Sequence, residues 1–411
     1  MYKLKERIQN KELLKYKNEF LIILEWATGV GKSLGSLKLV KKLTPKSLLI
    51  LVAEEAHKEN WRIEINKFSE LFKYDFNIEI NIECYASIKK HKDTNYDIII
   101  LDEGHHVSEL RASFLETITC NNIIVLSATI DSEELDRIKQ ATKSLDSVFH
   151  SSISLQEAIK LKVIPEPDIY LIPLELNTKD KKCFIIESRG NKKDRVNITC
   201  DYADRWTYKK DKNKYPAYEL KIICTEYQKN EYYDQNIEFF KNSYIRSGNK
   251  ALYNKWMRLG NERKIFLGEL KTNSVQILIN KLGKKRFICF CTSILQADLL
   301  SNFNAVHSKN KESKEILKNF YDKVINYLFC VGMLTEGQNI PDIDLGIIVQ
   351  LDGKERPFIQ KHGRVLRSKN PAQFIFYFKD TRDEEYLTNI ISNIDKNYIQ
   401  IINKLNLFNY E

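Results

Sequence analysis

The sequence lacks the features that mark membrane-spanning, secreted and zinc-binding proteins. No stretch of the 411 residues is apolar over enough length to span a bilayer, and the N-terminal segment MYKLKERIQNKELL is too charged for a signal peptide. The eight cysteines are scattered without a C-x-x-C pair, so zinc is not supported and reduced core thiols are expected. These absences predict a cytoplasmic protein without a membrane partner, either cellular or a viral protein acting in its host.

What the chain does have is ample length and a local excess of positive charge. A chain of 411 residues is long enough for two to three domains with large cores. Residues 151–300 hold 28 basic and 18 acidic side chains, an excess that equals the net charge of +10 of the whole chain. Such a bias favours a polyanionic partner, although solubility alone would also account for it.

Strand-like apolar runs alternate with helical patterns in both halves of the chain. This alternation favours an α/β protein with parallel sheets covered by helices on both faces. In such sheets ligands bind beyond the carboxyl ends of the strands. The runs cover residues 20–26, 47–53, 96–101 and 121–126 in the front half, and 286–293, 327–333, 345–351 and 373–378 in the back half.

The first run leads into a predicted phosphate-binding loop. Its sequence, FLIILEWATGVGKSLGSLKLVKK, predicts a buried strand, a glycine-containing turn and a helix, so that backbone N–H groups can surround a phosphate. Lys32 would reach the β- and γ-phosphates, and the Ser33 hydroxyl would ligate Mg²⁺. Trp26 stands where the pattern G-x-x-x-x-G-K-[ST] has its first glycine, and an ordinary glycine turn is the alternative. The loop residues expected to contact the nucleotide are Thr28, Gly29, Val30 and Gly31.

An acidic pair, Asp102 and Glu103, follows the third run in the segment DEGHH. After a phosphate-binding loop, such a pair is expected to complete the site. Asp102 would hold Mg²⁺ mainly through water, and Glu103 would orient and deprotonate the attacking water. The alternative is a solvated acidic turn that caps a helix.

The segments WATGVGKS, DEGHH and SAT follow three of these runs in order. Together they resemble motifs I, II and III of a superfamily 2 helicase, in the DEAD/DEAH-like group that includes type I and III restriction-enzyme translocases and phage recombination helicases. In many of these an apolar residue stands where Trp26 does. The resemblance implies two RecA-like domains, ATP and Mg²⁺ as cofactors, and an adenine contact by Gln9, for which a solvated helix residue is the alternative. It also implies coupling roles for Ser127, Thr129 and His105.

The back half resembles the remaining motifs of the same family. Residues 286–298 resemble motif IV, and TEGQNIP resembles motif V, which implies nucleotide contacts by Gly337 and Asn339. The family usually has Asp where Asn339 stands; an amide could still bond a ribose hydroxyl without the charge. The segment QKHGRVLR resembles motif VI, Q-x-x-G-R-x-x-R, which assigns catalytic roles to Gln360, Arg364 and Arg367.

The two arginines of this last motif matter most for the mechanism. Arg364 and Arg367 are three residues apart, so they lie on one face of a helix and could both reach a shared cleft. They would act as arginine fingers that neutralise charge on the transferring γ-phosphoryl group. A basic helix end paired with acidic neighbours is the alternative.

The predicted domain organisation has five parts. Residues 1–150 form RecA-like domain 1, 151–176 the connection with the first strand of domain 2, and 286–411 RecA-like domain 2. Between them lie a basic and aromatic β insertion at 177–222 and a helical segment at 223–285. The insertion combines groups that can track a phosphate backbone and stack on bases, although its aromatics could instead pack on the parent domain.

These observations predict a nucleic-acid-dependent ATPase that works as a helicase or translocase, with DNA favoured over RNA as the partner. The alternatives are an RNA helicase and a nucleic-acid clamp that uses ATP without unwinding. The presence of Glu103, Arg364 and Arg367 argues against the clamp. No nuclease constellation is evident outside these motifs, so a separate protein partner could supply cutting.

Overall fold

The computed structural model describes residues 2–143, 147–211, 213–332, 343–351, 371–392 and 394–408. Within these ranges the chain forms two six-stranded parallel sheets, with a three-stranded sheet and a group of helices between them in sequence. The predicted fold class, two RecA-like domains separated by a small β insertion and a helical segment, is confirmed. Among the described helices, none has the length and apolar character needed to cross a membrane.

The front part of the chain forms the first sheet. Its strand order is β3-β2-β4-β5-β1-β6, and every pairing is parallel. The elements are α1 (Tyr2–Leu13), β1 (Leu21–Trp26), α2 (Lys32–Leu43), β2 (Ser47–Val52), α3 (Glu55–Phe72), β3 (Glu79–Cys84), β4 (Asn95–Asp102), α4 (Glu109–Leu115), β5 (Thr119–Ser127), α5 (Ser132–Ala141), β6 (Val148–Ile153) and α6 (Leu155–Lys160), with 3-10 turns at Tyr85–His91 and Gly104–His106.

Burial on both faces of this sheet accounts for its continuous apolar strands. In β1, Ile22 and Leu24 belong to the core on one face, whereas Leu21 and Ile23 belong to the core on the other. A strand buried on both faces cannot alternate apolar and polar residues, so it appears in the sequence as an uninterrupted apolar run.

The two strands at the edges of the first sheet were not among the predicted runs. β3 (EINIEC) and β6 (VFHSSI) mix polar and apolar residues because an edge strand is partly exposed. The predicted boundary at residue 150 falls inside β6, which pairs with β1 as far as Ile153. The first sheet therefore ends beyond that boundary, since Phe149 and Ile153 pack in its core.

The middle of the chain contributes one strand to the second sheet and then forms the insertion and the helices. In the insertion β8 is antiparallel to β10 whereas β9 is parallel to it, so the unit is a three-stranded sheet rather than a simple hairpin. The elements are β7 (Asp168–Leu174), β8 (Cys183–Arg189), β9 (Val196–Asp201), α7 (Arg205–Lys210), β10 (Tyr218–Cys224), α8 (Glu226–Ser247), α9 (Lys250–Leu270) and α10 (Thr272–Leu282), with a 3-10 turn at Lys192–Asp194.

The rest of the chain completes the second sheet, whose order is β12-β11-β13-β14-β7-β15 with all pairings parallel. β7 lies beside β14, although the insertion and the helices separate the two in sequence. The elements are β11 (Phe287–Phe290), α11 (Ile294–Ser301), α12 (Ser313–Tyr321), β12 (Tyr327–Cys330), β13 (Leu345–Ile348), β14 (Ala372–Phe378), α13 (Arg382–Ile391) and β15 (Ile399–Ile401), with 3-10 turns at Lys396–Tyr398 and Leu405–Leu407.

A fully buried lysine joins the helical segment to this second sheet. Lys271, between α9 and α10, is 0% exposed. Its Nζ donates to Asp383 Oδ2 at 2.6 Å, to Gln350 Oε1 at 2.7 Å and to the Phe376 carbonyl at 3.1 Å. Burial lowers the pKa of Lys271, and the Asp383 carboxylate opposes that shift. Each partner therefore compensates the buried charge of the other, and removal of either one would leave an uncompensated charge in the core.

We expect Lys271→Met to destabilise the protein by about 3–5 kcal/mol, because it leaves the buried Asp383 carboxylate uncompensated. The measurement is the free energy of unfolding in urea. The double variant Lys271→Met/Asp383→Asn removes both charges and should recover part of the loss. The matched control is Lys379→Met, whose exposed pair with Glu175 at 3.4 Å should contribute only about 0–1 kcal/mol. A loss at Lys271 no larger than at Lys379 would contradict the prediction.

Candidate active site

The phosphate-binding loop joins β1 to α2 with the backbone conformation that its glycines permit. Gly29 and Gly31 have φ values of 94° and 96°, in the left-handed region where side chains other than glycine are strained. Gly31 is the N-cap of α2, and no side chain caps it among the described residues. The first-turn N–H groups of α2 are therefore available to an anion, which the helix dipole also favours.

The carboxyl ends of three adjacent strands bring the predicted motifs together. In the first sheet β5 lies between β4 and β1, and all three are parallel. Asp102 at the end of β4 is opposite Leu126, and Ser127 at the end of β5 is opposite Glu25. The segments that follow these strands therefore lie together at the carboxyl ends of the strands, as the sequence predicts.

Lys32 and Glu103 lie next to each other beyond the carboxyl ends of these strands. The Nζ atom of Lys32 is 3.9 Å from Glu103 Oε1 and donates a hydrogen bond to the Trp26 carbonyl at 3.1 Å. Both side chains are largely enclosed, with 11% and 18% of their surfaces exposed. The cation expected to reach phosphate and the carboxylate expected to activate water thus belong to a single cluster.

Asp102 is held in this cluster by two aromatic side chains that no sequence pattern singles out. The Trp61 indole Nε1 donates to Asp102 Oδ2 at 2.8 Å, and the Tyr85 hydroxyl donates to the Asp102 carbonyl at 3.0 Å. Burial, and then the charge of Glu103, raise the pKa of Asp102 to about 6, while the Trp61 bond and Lys32 oppose the shift.

These surroundings fit a bound Mg²⁺. Two neighbouring carboxyl groups disfavour each other's ionised form, and a divalent cation beside Asp102 would relieve that repulsion. The hydroxyl of Ser33 and the carboxylate of Asp102 are oxygen donors of the kind that Mg²⁺ prefers, with water completing its shell. Ser33 lies in the first turn of α2. These two residues would hold the ion.

Glu103 occupies a strained turn at the end of β4. Its φ of 51° is in the left-handed region, which is unusual for a residue with a side chain. The next residue must be glycine, because a Cβ on Gly104 would lie 2.4 Å from Val125 Cγ1. The Oε2 atom of Glu103 is 3.7 Å from His105 Nδ1, so His105 also belongs to this cluster.

Gln9 contacts the phosphate-binding loop from α1. It is buried and is therefore not the solvated helix residue that was the alternative to an adenine contact. It is 0% exposed, and its Nε2 donates to the carbonyls of Val30 at 2.8 Å and Gly31 at 3.2 Å. Its Oε1 is buried and has no hydrogen-bond partner among the described residues. A free buried acceptor beside the loop fits a donor such as an adenine amino group.

Trp26 fills the position where the loop pattern has a glycine, and its neighbours accommodate it. The indole is fully buried against Gly35, where a Cβ would lie 2.5 Å from the ring. Its Nε1 donates to Ser151 Oγ at 2.9 Å, and this hydroxyl donates to Glu12 Oε2 at 3.0 Å. Trp26 therefore connects the loop to α1 and β6, a contact that local sequence does not reveal.

The turn after β5 is closed by its own residues. The Ser127 side chain is buried and its hydroxyl donates to the Thr129 carbonyl. The roles of Ser127 and Thr129 in coupling remain a prediction. Thr28 is half-buried in the phosphate-binding loop.

Motifs V and VI lie outside the described residues. The predictions for these motifs concern Gly337, Asn339, Gln360, Arg364 and Arg367. Of the back-half motifs the structure describes motif IV, which consists of β11 and the start of α11. There Thr292 packs so closely on α9 that a Cβ on Gly268 would lie 2.1 Å from its hydroxyl oxygen.

Two RecA-like domains, with a phosphate-binding loop and an acidic pair at the carboxyl ends of the strands of the first sheet, define the class of P-loop nucleotide-binding proteins. Comparison with protein families narrows this class. The family described as type III restriction enzyme, res subunit, matches residues 1–132, and the helicase conserved C-terminal domain matches residues 270–369. The two matches together account for more than half of the chain. No curated protein sequence matches it.

Solved structures with the same fold include one from Pyrococcus furiosus and one from S. cerevisiae. The helicase domain of Pyrococcus furiosus Hef is 14% identical with a TM-score of 0.50, over 94% of this chain and 97% of that one. Dbp5 of S. cerevisiae, bound to RNA and ADP BeF3, is 11% identical with a TM-score of 0.55, over 98% of this chain and 89% of that one. The chain belongs to the superfamily 2 helicases, with a relationship to type III restriction enzymes.

Proposed function

We propose that this protein is a nucleic-acid-dependent ATPase that translocates on DNA or remodels DNA duplexes and junctions. The observation that carries the proposal is the cluster of Lys32, Glu103 and Asp102 beside the phosphate-binding loop, with Lys32 Nζ 3.9 Å from Glu103 Oε1. One cation, one candidate base and one metal-binding carboxylate meet where the γ-phosphate of ATP would lie.

Each residue then has a distinct role in hydrolysis. The N–H groups of the loop and Lys32 bind the phosphates, so Lys32 exchanges part of its contact with Glu103 for the nucleotide. Glu103 orients the attacking water and accepts its proton. Ser33 and Asp102 would hold Mg²⁺, which would neutralise negative charge on the phosphates. Gln9 contacts the adenine.

The second domain completes the site in this proposal. Arg364 and Arg367 would reach the γ-phosphoryl group, so that ATP is contacted from both domains. Because ATP would then bind the closed arrangement better than the open one, it can shift the equilibrium between them. Hydrolysis removes the phosphate that joins the two sides, and repeated closure moves the protein along a strand.

The choice of DNA is supported by the match to the restriction-enzyme family. An RNA helicase is the second candidate, because the structurally similar Dbp5 is bound to RNA. An ATP-gated clamp without unwinding is the third. A separate protein that supplies nuclease activity would be consistent with the restriction-enzyme relationship.

The decisive measurement is the steady-state rate of ATP hydrolysis with single-stranded DNA, duplex DNA, forked DNA or RNA added. We expect DNA to stimulate turnover, and a strand-displacement assay to show unwinding or translocation with the same substrate. Stimulation of hydrolysis by RNA alone would contradict the DNA proposal and support an RNA helicase. Binding of a polymer without any ATP turnover would support the ATP-gated clamp.

A further inference from the structure

The helical hairpin formed by α8 and α9 has a strongly basic end. We call residues 239–261 the hairpin tip; they contain five basic residues and no acidic one. Within the part of the chain that the structure describes, four of these cations form no ion pair, and the fifth, Arg258, pairs with Glu262 at 3.4 Å. The five exposed cations are Lys241, Arg246, Lys250, Lys255 and Arg258.

Aromatic side chains share the hairpin tip with these cations. Phe239 is 62% exposed and Tyr253 is 38% exposed. Tyr253 also packs with Tyr244 and Trp256, with ring centroids 5.2 and 5.7 Å away. Lys255 Nζ lies 4.2 Å from the centroid of the Phe240 ring. Exposed rings beside cations can stack on bases while the cations contact phosphates.

The β insertion has a similar composition but uses its aromatics differently. Tyr202 and Tyr218 are 5% and 4% exposed and belong to the core of the insertion itself. Lys209 pairs with Glu187 at 2.7 Å, and Lys181 pairs with Asp201 at 2.8 Å. These tyrosines and lysines are therefore engaged in the packing of the insertion itself, whereas Phe184 and Trp206 remain 49% and 48% exposed.

Hydrogen bonds join the base of the hairpin to the second domain, and they fix the direction in which the hairpin extends from that domain. Arg263 in α9 bonds Asp234 in α8, and its Nη2 donates to the Tyr386 hydroxyl in α13 at 3.2 Å. Gln296 Nε2 donates to the Gly268 carbonyl at 2.6 Å. The 22 residues of α8 extend over about 33 Å, which sets the reach of the tip from this base.

We propose that the hairpin tip binds single-stranded nucleic acid, with its cations on the phosphates and Phe239 and Tyr253 stacked on bases. The inference rests on the proposed function, and it places part of the polymer site away from the ATPase cluster. Because no residue of the tip belongs to that cluster, its variants should keep the hydrolysis rate measured without polymer.

The test is fluorescence anisotropy of the full chain with a labelled 20-nucleotide single strand, as DNA and as RNA, and with a 20-base-pair duplex, over a series of salt concentrations. The variant Lys241→Gln/Arg246→Gln/Lys255→Gln should make the slope of log affinity against log salt shallower by about 2, since each phosphate contact on a single strand contributes about 0.7. Its control is Lys17→Gln/Lys46→Gln/Lys73→Gln, three exposed lysines in segments that precede β1, β2 and β3. The control slope should not change.

Alanine variants test stacking separately from charge. Phe239→Ala and Tyr253→Ala should each weaken single-strand binding by roughly five- to 150-fold, and duplex binding by less. The control is Phe303→Ala, which removes a ring that is 71% exposed near the end of α11.

The outcomes separate the two proposals. Wild-type affinity and salt slope in the tip variants, with ATP hydrolysis still stimulated by polymer, would overturn the tip as a binding site and leave the proposed function intact. Equal losses for single strand and duplex in the alanine variants would overturn the assignment to single strands. If wild type neither binds any polymer nor responds to one, both proposals fail.

Discussion

Glu103→Gln should lower the rate of ATP hydrolysis by about 10²–10⁴-fold while nucleotide binding is retained. The substitution keeps the size of the side chain but removes the group that accepts the proton from water. Lys32 and the loop N–H groups remain, and the carboxylate that competes for Lys32 at 3.9 Å is gone. ATP affinity should therefore be unchanged or higher. Single-turnover hydrolysis and equilibrium binding of a fluorescent ATP analogue measure the two effects independently.

Glu83→Gln is the matched control for this change. Glu83 is an acidic residue on β3, at the edge of the same sheet, where it pairs with Lys58 at 3.0 Å. Its loss should leave hydrolysis at the wild-type rate. If Glu103→Gln stays within about fivefold of wild type under saturating polymer, the base must be another group, and the role of Glu103 is limited to positioning Lys32.

Arg367→Ala should reduce polymer-stimulated hydrolysis by about 10³–10⁵-fold, the range found for arginine fingers. Charge accumulates on the γ-phosphoryl oxygens in the transition state, and a guanidinium group can bond two of them at once. The front half supplies Lys32, whose charge is partly offset by Glu103. A second cation from the other domain would therefore act mainly on the transition state. ATP affinity should fall much less than the rate.

Two further variants distinguish this effect from a general loss of positive charge. Arg367→Lys should not restore activity, because a lysine cannot reproduce the planar, two-point contact of arginine. Arg382→Ala removes an exposed arginine of the same domain that pairs with Glu385, and it should leave turnover unchanged. Near-normal rates in Arg367→Ala would mean that the motif VI resemblance does not extend to this role.

The fold class and the front-half motifs could be predicted because their signals are local. A strand buried on both faces produces a continuous apolar run, and a glycine-lysine-serine turn between such a strand and a helix is typical of a phosphate-binding loop. Parallel pairing then places the carboxyl ends of β1, β4 and β5 side by side. The residues that follow these strands are therefore expected to lie close together although they are far apart in sequence. The edge strands β3 and β6 were missed because partial exposure mixes their pattern.

The hydrogen-bond partners of Asp102 and Trp26 could not be predicted. Trp61 bonds Asp102 across 41 residues, and Ser151 bonds Trp26 across 125. A tryptophan in a helix or a serine in a strand has no local feature that names its partner, since such pairs depend on how helices pack on the sheet. No local pattern indicates the positive φ of Glu103 or the close approach of Gly104 to Val125 either.

The sequence by itself determined the family, the two-sheet architecture and the residues expected to contact ATP, because each depends on short patterns at strand ends. Only the tertiary structure decided which side chains are exposed. Composition is alike in the β insertion and the helical segment, but Tyr202 and Tyr218 of the insertion lie in its core, whereas the hairpin tip presents Phe239 and Tyr253 to solvent. Burial depends on which surfaces meet in the folded chain, and no local pattern specifies that.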